Sequence, residues 1–573
     1  MNFQSLPTDA KSILALKWTD YEPYYQELEA RQLSEENIQN WLDDWSILAA
    51  TADEHYWRLY IATTVNTADK QVEEQYNTYI EEIQPHTKTA EQKLKDKILA
   101  SGLSPKSFET ALRKIQAEAD IFREENLPFL AVEQKLVAEY NKLIGSLTVV
   151  WDGEERTFGQ MRALLYETDR SVRQRAWEAR EACIQKERPA INGLWEKFMI
   201  VRLKIAEKAD MPDYRAYMWK QRFRFDYSPE DCKSFHAAIE EVVVPAATRV
   251  YEKRRQRLGV DTVRPWDVDV DPLGTTPIKP YETIDEFKQK SHAVFEQVDP
   301  KFGEYFQIMV EEGLLDLESR KNKAPGGYSL GLHVAHRPFI FMNHIGTPLD
   351  VQTMLHEGGH AFHEFERAHV HFYQRGEIYL PAEFGEVASM GMELLASPYL
   401  TKERGGFYTD HEAARAMIDH LEGSITFWPY MALVDAFQHW VYENPADGSN
   451  ASKCESKWGE LWDRFMAGID YSGWEDVKKT YWHRQLHPFD APFYYVEYGL
   501  ALLGAVQVWS NARKDQTKAV ADYRKALALG ATVPLPQLFD AAGAKFAFDT
   551  KTLKEAVDLM EEVSGEMEAK LHS

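Results

Sequence analysis

Apolar residues recur at three- and four-residue steps along most of the chain, and this spacing is typical of amphipathic α-helices. An early stripe comprises Ile38, Trp41, Leu42, Trp45 and Leu48. Ser34 precedes this stripe and is the expected N-cap of the helix. Comparable stripes continue as far as Leu136. The pattern therefore predicts a mainly α-helical protein.

Strand patterns are rare by comparison. Residues 147–151 form a short β-branched run, and the Asp152-Gly153 pair that follows is typical of tight hairpin turns. Residues 338–343 form a second short apolar run, bounded by Pro338 and Asn343, which predicts another strand. The exposed edge of that strand is a candidate for pairing with an extended peptide. We therefore expect a small β-sheet within the helical fold.

The composition narrows the class of protein and its partners. With 573 residues, 44% of them hydrophobic, the chain is long enough for two or more domains. Its net charge of −25 argues against nucleic acid as a partner, because phosphate binding needs clustered lysine and arginine. No apolar run approaches the roughly 18 residues of a membrane span. The first ten residues lack the basic and apolar regions of a secretory signal.

The cysteines are few and scattered. Cys183, Cys232 and Cys454 show no spacing typical of a metal site. A low and odd cysteine count fits a reducing compartment, where disulfides rarely persist. We therefore expect a cytoplasmic protein.

Residues 356–360 read His-Glu-Gly-Gly-His, which is an H-E-x-x-H motif. Residues four apart share a helix face, so His356 and His360 can both direct a ring nitrogen at one zinc ion, about 2.0–2.1 Å away. Glu357 lies beside them, where it can take a proton from water. Gly358 and Gly359 each cost a helix about 1 kcal/mol relative to alanine, but they let backbone or substrate approach closely. The motif predicts a zinc peptidase.

Catalytic zinc usually takes three protein ligands, so one more is needed. The downstream candidates are His363, His369, His371, Glu377, Glu383, Glu386 and Glu393. His363 follows too closely on the same helix and is better explained by packing or by a bond to a ligand. Residues 382–395 predict a second helix, on which the glutamates lie three or seven residues apart and share a face. The residues alone do not separate Glu383 from Glu386, and glutamates that do not bind the metal would orient histidine N–H groups.

Further motifs accompany these helices. They are Glu-Val-Ala-Ser at 386–389, Gly-Gly-Tyr-Ser at 326–329 with the apolar run at 337–343, Arg-Pro-Trp-Asp at 264–267 and Asp-Arg-Ser-Val-Arg at 169–173. Together with the H-E-x-x-H motif they resemble the M3 family of zinc oligopeptidases, in particular its oligoendopeptidase F branch. The similar stretches run from about residue 140 to the C-terminus, whereas the first 140 residues match only in helical character.

The resemblance implies a mainly α fold of the thimet oligopeptidase and neurolysin type. Two helical halves would surround a deep substrate channel, with a small sheet beside the zinc-binding helix. Residues 1–190 would form an N-terminal helical domain and residues 191–573 the M3-type catalytic domain. The match to Glu-Val-Ala-Ser selects Glu386 as the third ligand of one zinc ion per chain.

The resemblance also assigns the oxyanion-stabilising groups. It implies that His487 and Tyr498 donate to the developing oxyanion, with Tyr495 beside them and Tyr494 as an alternate. Taken alone, tyrosines three residues apart are more typical of a helix core than of a catalytic site.

The sequence therefore predicts a zinc-dependent metalloendopeptidase that hydrolyses internal bonds of short unfolded peptides, with an oligopeptide as its partner. The alternative is a zinc carboxypeptidase or dipeptidyl carboxypeptidase, in which Arg337 or Arg484 would hold the terminal carboxylate of the substrate. A catalytically silent peptide-binding protein is the rival from another class. Two histidines and a carboxylate also suit other divalent metals, so the donor set leaves the metal partly open.

Overall fold

The structure is a computed structural model that describes residues 1–274, 277–375 and 380–571. Its α-helices, in chain order, are α1 (Ala10–Ile13), α2 (Trp18–Ala30), α3 (Ile38–Val65), α4 (Lys70–Thr78), α5 (Gln84–Ser101), α6 (Glu109–Ile121), α7 (Leu127–Gly145), α8 (Phe158–Ala163), α9 (Arg170–Lys208), α10 (Tyr214–Gln221), α11 (Pro229–Ala238), α12 (Val244–Leu258), α13 (Ile284–Val298), α14 (Pro300–Glu311), α15 (Pro348–Arg367), α16 (Phe372–Arg375), α17 (Ala382–Ala396), α18 (Asp410–Glu443), α19 (Pro445–Gly448), α20 (Ala451–Phe465), α21 (Glu475–Thr480), α22 (Leu486–Asp490), α23 (Tyr495–Lys514), α24 (Gln516–Ala528), α25 (Leu535–Ala541) and α26 (Thr550–Leu571).

The strands are β1 (Thr148–Trp151), β2 (Glu154–Thr157), β3 (Leu315–Glu318), β4 (Tyr328–Leu332) and β5 (Arg337–His344). The prediction of a mainly helical fold with a small sheet is confirmed. Within the described residues, no helix is long and apolar enough to cross a membrane.

The chain forms two compact units, each assembled from three segments. The first unit comprises Met1–Ala119, Ile278–Ala413 and Gly504–Phe546, and the second comprises Asp120–Pro277, Ala414–Leu503 and Ala547–Ser573. The predicted division into domains at residues 190 and 191 falls within α9, and it stays a prediction.

In the first unit, α3 confirms the early helical prediction. All five residues of its apolar stripe are buried. The predicted N-cap was wrong, because the helix begins at Ile38 and Asn37 is the cap residue. The side chain of Asn37 accepts a hydrogen bond from the backbone N–H of Ser34 and donates one to the carbonyl of Gln32. These two bonds stabilise the turn that precedes the helix.

The three-stranded sheet of the first unit has the order β3-β5-β4. β5 pairs parallel with β3 and antiparallel with β4, so the predicted strand at 338–343 is confirmed. The prediction that this strand has an exposed edge was wrong, because β5 is the central strand and its backbone groups form hydrogen bonds with both β3 and β4. Strand β4 lies at an edge instead. A methyl group added at Gly327, just before β4, would lie 3.9 Å from Thr353 Cγ2 of α15, so this edge strand runs beside the helix of the H-E-x-x-H motif.

In the second unit, β1 and β2 form the predicted hairpin. The two residues of its turn, Asp152 and Gly153, have φ values of 50° and 84°. Two positive φ values are the requirement of a type I′ turn, which asparagine, aspartate and glycine meet at low cost. The short-range pattern was therefore sufficient to predict this element.

The second unit also joins two of the sequence motifs through one carboxylate. Asp267 is fully buried and accepts hydrogen bonds from Arg170 at 2.9 and 2.7 Å and from Arg173 at 3.0 Å. Arg173 also donates to the carbonyl of Trp266 at 2.9 Å. The Arg-Pro-Trp-Asp and Asp-Arg-Ser-Val-Arg motifs thus have a structural role in tying the start of α9 to the segment after α12.

Candidate metal centre

The helix of the H-E-x-x-H motif, α15, is anchored at its N-terminus by one buried carboxylate. Asp350 Oδ2 accepts backbone N–H groups from Ile345, Gly346 and Thr347 at 3.1, 2.7 and 2.8 Å, and the hydroxyl of Tyr281 at 2.7 Å. A carboxylate in the first turn satisfies otherwise unpaired donors and opposes the positive end of the helix dipole. The start of α15 is therefore fixed two turns before its first histidine.

Glycines at both variable positions of the motif allow two close contacts. A methyl group at Gly359 would meet the carbonyl oxygen of Ala388 and lie 2.6 Å from Ser389 Cα, so α17 crosses α15 at this point with backbone against backbone. A methyl group at Gly358 would lie 2.6 Å from the ring of Phe295 on α13. The two glycines lower the helix propensity of α15, but they allow these two close contacts to form.

The crossing brings three metal-ligand side chains together. His356 Nε2 lies 3.4 Å from Glu386 Oε2, and His360 Nε2 lies 3.6 Å from the same oxygen. Zinc with bonds of about 2.0–2.1 Å in tetrahedral geometry separates neighbouring donor atoms by about 3.3 Å, so this donor set fits zinc in type and spacing. The two histidine side chains keep 26% and 27% of their surface exposed, which leaves access from solvent.

A second carboxylate of α17 orients the first histidine. Glu393 Oε1 accepts from His356 Nδ1 at 2.6 Å, and Gln352 donates to the other oxygen of Glu393. Because an ionised carboxylate only accepts, Nδ1 carries a hydrogen, and Nε2 is the nitrogen that would bind a metal through its lone pair in the neutral ring. Ser389 donates to Glu386 Oε2 at 2.9 Å and steadies that carboxylate in the same way.

Burial shapes the ionisation of these groups. It raises the pKa of Glu357 to about 7, so this carboxyl can both accept and release a proton near neutral pH. Burial also lowers the pKa of His360 to about 4, which favours the neutral ring that a metal needs. Burial opposes ionisation of Glu386, yet its contacts with His356 and His360 lower its pKa to about 2.

The other predicted third ligands lie elsewhere. His363 is buried against the ring of Phe384. His369 contacts the carbonyl of Glu366, and His371 contacts that of Leu42. Glu383 is buried in the first turn of α17 and is not in the ligand group of His356, His360 and Glu386. Glu377 lies outside the described residues.

The predicted oxyanion-stabilising residues form a ring cluster in the second unit. His487 lies 4.4 Å from Tyr495 and 6.3 Å from Tyr498, measured between ring centroids. Tyr494 lies 5.2 Å from Tyr498 and 6.1 Å from His487. The four side chains therefore form one group.

Two residues that the sequence did not reveal determine the tautomer of His487. Tyr430 donates to Gln485 Oε1 at 2.8 Å, which orients the amide, and Gln485 Nε2 then donates to His487 Nδ1 at 2.6 Å. Nδ1 is thus an acceptor, and Nε2 carries the hydrogen. Burial, with the charge of Arg222, lowers the pKa of His487 to about 4, so the ring is neutral at pH 7 and can donate through Nε2.

The sequence analysis also missed the roles of Gln352 and Ser389, because amides and hydroxyls at ordinary helix positions give no recognisable pattern.

Comparisons with known proteins identify a family and several relatives. The model of peptidase family M3 matches residues 163–558, which is more than half of the chain. Chromosomal oligoendopeptidase F of Lactococcus lactis subsp. cremoris is 24% identical over 224 residues, which are 39% of this chain and 36% of that protein. Oligopeptidase PepF of Bacillus subtilis is 23% identical over 480 residues, which are 76% of this chain and 66% of that protein. The chain thus spans less than two thirds of each of these relatives.

A solved structure assigned as an oligoendopeptidase F is similar throughout. It has a TM-score of 0.84 and 27% sequence identity, and the similarity covers 98% of both chains. The family match includes both helices that carry the metal-ligand group and the ring cluster around His487. The chain belongs to peptidase family M3.

Proposed function

We propose that the protein is a zinc-dependent metalloendopeptidase, similar to oligoendopeptidase F, that hydrolyses internal bonds of short unfolded peptides. The observation that carries this proposal is the group of His356, His360 and Glu386, with the buried carboxyl of Glu357 on the same turn. The family match and the oligopeptidase relatives support it.

His356, His360 and Glu386 would hold one zinc ion per chain. When bound, zinc polarises the scissile carbonyl and lowers the pKa of water toward about 7. Glu393 accepts the Nδ1 hydrogen of His356, so Nε2 is the ring nitrogen that is left to bind the metal. The three side chains are thereby preorganised, and little rearrangement is needed for binding.

Glu357 acts as the general base and acid. Its carboxylate takes a proton from the attacking water and then delivers that proton to the leaving nitrogen. A carboxyl with a pKa of about 7 is suited to both steps, because neither direction of transfer is strongly uphill at neutral pH.

His487 and Tyr498 donate hydrogen bonds to the oxyanion, with Tyr495 supporting them. The neutral His487 ring carries its hydrogen on Nε2, and burial raises the pKa of Tyr495, so its phenol stays protonated. Donors that are fixed before the reaction stabilise developing charge without reorganisation cost. We propose that the backbone of the extended substrate pairs with edge strand β4, which runs beside α15.

The test is cleavage of a fluorogenic peptide of about ten residues that is blocked at both ends. We expect internal cleavage that a chelator abolishes and that added zinc restores. Blocked peptide left intact, with release from a free C-terminus instead, would establish the carboxypeptidase alternative. Absence of turnover on both substrates in a zinc-loaded protein would contradict a peptidase function.

The two arginines considered for the carboxypeptidase alternative already have carboxylate partners. Arg337 forms a two-bond pair with Glu312 at 2.8 and 2.9 Å, and Arg484 forms a two-bond pair with Glu181. Neither guanidinium could bind a substrate carboxylate without leaving its partner. This observation favours the endopeptidase.

The composition and the positions of the site residues support proposals on partner, location and domain. We propose an oligopeptide substrate, no nucleic-acid partner, and a cytoplasmic location that rests on the low cysteine count. We also propose that residues 191–573 form the catalytic domain, since every proposed catalytic and metal-binding residue lies there.

A further inference from the structure

A second group of metal-ligand side chains lies in the second unit, within the core. Two residues four apart on α11, Cys232 and His236, face two residues four apart on α18, Asp435 and His439. All four are buried, with Cys232 and Asp435 fully inaccessible. Pairs spaced by four on facing helices are a common way of directing several donors at one point.

The distances within this group are compatible with a metal site. Asp435 Oδ2 lies 3.3 Å from His439 Nε2 and 2.8 Å from His236 Nε2. Donor atoms of Cys232, Asp435 and His439 all lie within 4.8 Å of one another. The 3.3 Å separation equals the spacing of about 3.3 Å expected between neighbouring ligand atoms of tetrahedral zinc.

Two potential metal-ligand atoms of the group are not satisfied by hydrogen bonds within the protein. Among the described residues, Asp435 Oδ1 has no hydrogen-bond partner, and His439 Nε2 makes no well-aligned hydrogen bond although it lies 3.3 Å from Asp435 Oδ2. A fully buried carboxylate is costly unless positive charge balances it, and its histidine neighbours supply charge only when protonated. A divalent cation would balance the carboxylate and coordinate His439 Nε2 together with an oxygen of Asp435.

The surroundings of His439 are mostly apolar. The rings of Trp219 and Phe493 pack against it at 5.6 and 5.4 Å between centroids. Arg215 Nη1 lies 3.3 Å from His439 Nδ1 and 2.5 Å from Glu443 Oε1. A metal at Nε2 leaves the hydrogen on Nδ1. Arg215 could then no longer donate to Nδ1, and it would keep its ion pair with Glu443.

We propose that Cys232, Asp435 and His439 bind a structural zinc ion, and that His236 orients Asp435 by a hydrogen bond. The thiolate selects zinc over magnesium or calcium, which prefer oxygen ligands. The ion would fasten α11 to α18 within the second unit. It is a second metal in addition to the proposed catalytic one, and it is independent of that function.

Cobalt(II) distinguishes the two sites, because only this one contains sulfur. The full-length protein is stripped with chelator under mildly denaturing conditions, refolded with Co²⁺, and examined for thiolate-to-cobalt charge-transfer absorption in the near ultraviolet. We expect the band in the wild type and in the His356→Ala/His360→Ala double variant, with about one equivalent of metal per chain retained in the latter.

Cys232→Ser should abolish the band, whereas Cys183→Ser and Cys454→Ser should retain it. If Cys232→Ser does not fold, Asp435→Asn provides the second test and should lose the band or weaken cobalt affinity at least tenfold. Absence of the band from the wild type, or a band of full strength in Cys232→Ser, would overturn the proposal. Loss of peptidase activity alone would not bear on it, since the double variant lacks that activity by design.

Discussion

The carboxyl of Glu357 shares a helical turn with two proposed zinc ligands but has a different role from theirs. Replacing it with glutamine keeps the shape of the side chain and removes its ability to accept a proton. We expect Glu357→Gln to lower kcat by about 10²–10⁴ while retaining zinc. Steady-state cleavage of the blocked peptide and metal analysis of the same sample measure both quantities. Wild-type turnover in the variant would be incompatible with Glu357 as the general base.

Glu383 and Glu386 are three residues apart on α17, and the sequence alone did not separate them. Glu386 lies within 3.6 Å of both histidines, and Glu383 is not in that ligand group. We expect Glu386→Gln to weaken zinc affinity by more than the roughly 10–100-fold effect of losing an outer hydrogen-bond partner. The matched control, Glu383→Gln, should bind zinc as the wild type does. Competition titration with a chromogenic chelator measures the zinc affinity of both variants. Weaker binding in Glu383→Gln but not in Glu386→Gln would make Glu383 the ligand instead.

Tyr498 is the proposed oxyanion donor within the ring cluster around His487. Tyr498→Phe removes only the hydroxyl, so we expect kcat to fall by about 10²–10³ with KM little changed. Tyr494→Phe serves as the control and should have a smaller effect. If Tyr494→Phe gives the larger loss, then the alternate tyrosine is the donor.

At the scale of helices, the crossing of α15 and α17 depends on Gly359. A methyl group there meets the backbone of Ala388 and Ser389, which cannot move as a flexible side chain can. We expect Gly359→Ala to lower the free energy of unfolding by about 1–3 kcal/mol and to disturb the ligand group. Urea denaturation and zinc titration measure the two effects.

Gly193, in the middle of α9, is the matched control for this substitution. A methyl group at Gly193 would meet nothing within 4 Å. Gly193→Ala should therefore raise the free energy of unfolding by about 0.5–1 kcal/mol through helix propensity. Stabilisation of both variants would show that the crossing has more space than the structure indicates.

The small sheet shows why element type is easier to predict than element position. The strand at 337–344 has a local signature, but its place between β3 and β4 depends on partners elsewhere in the chain. β3 was not predicted, although its four residues, Leu-Asp-Leu-Glu, alternate between apolar and polar, because four residues are the shortest run in which alternation indicates a strand. Edge or central position is thus a tertiary property.

At the scale of the whole molecule, buried neutral histidines predict acid sensitivity. Burial lowers the pKa of His55 and His371 to about 4 and that of His483 to about 3. Below about pH 6.5 these histidines take up protons in the unfolded chain while they remain neutral in the folded one. The unfolded state then binds more protons, so the free energy of unfolding falls as pH decreases from about 6.5 to 4, by on the order of 1–3 kcal/mol for each histidine.

Urea denaturation at a series of pH values measures this loss. His371→Asn should reduce the slope between pH 6.5 and 4, because one titrating group is removed. A free energy of unfolding that is constant over this range would contradict the prediction.

Local patterns in the sequence were sufficient for the helical class, the β1–β2 hairpin and the H-E-x-x-H motif, because helix periodicity, turn geometry and the four-residue spacing of two ligands are all properties of neighbouring residues. The closeness of Glu386 to both histidines, the orientation of His356 by Glu393 and the meeting of Cys232 with Asp435 were decided by tertiary structure. Each joins side chains from separate helices, and their distances follow from how those helices cross. A helix crossing depends on packing over a whole surface, as Gly359 against Ala388 illustrates, and no short segment encodes it.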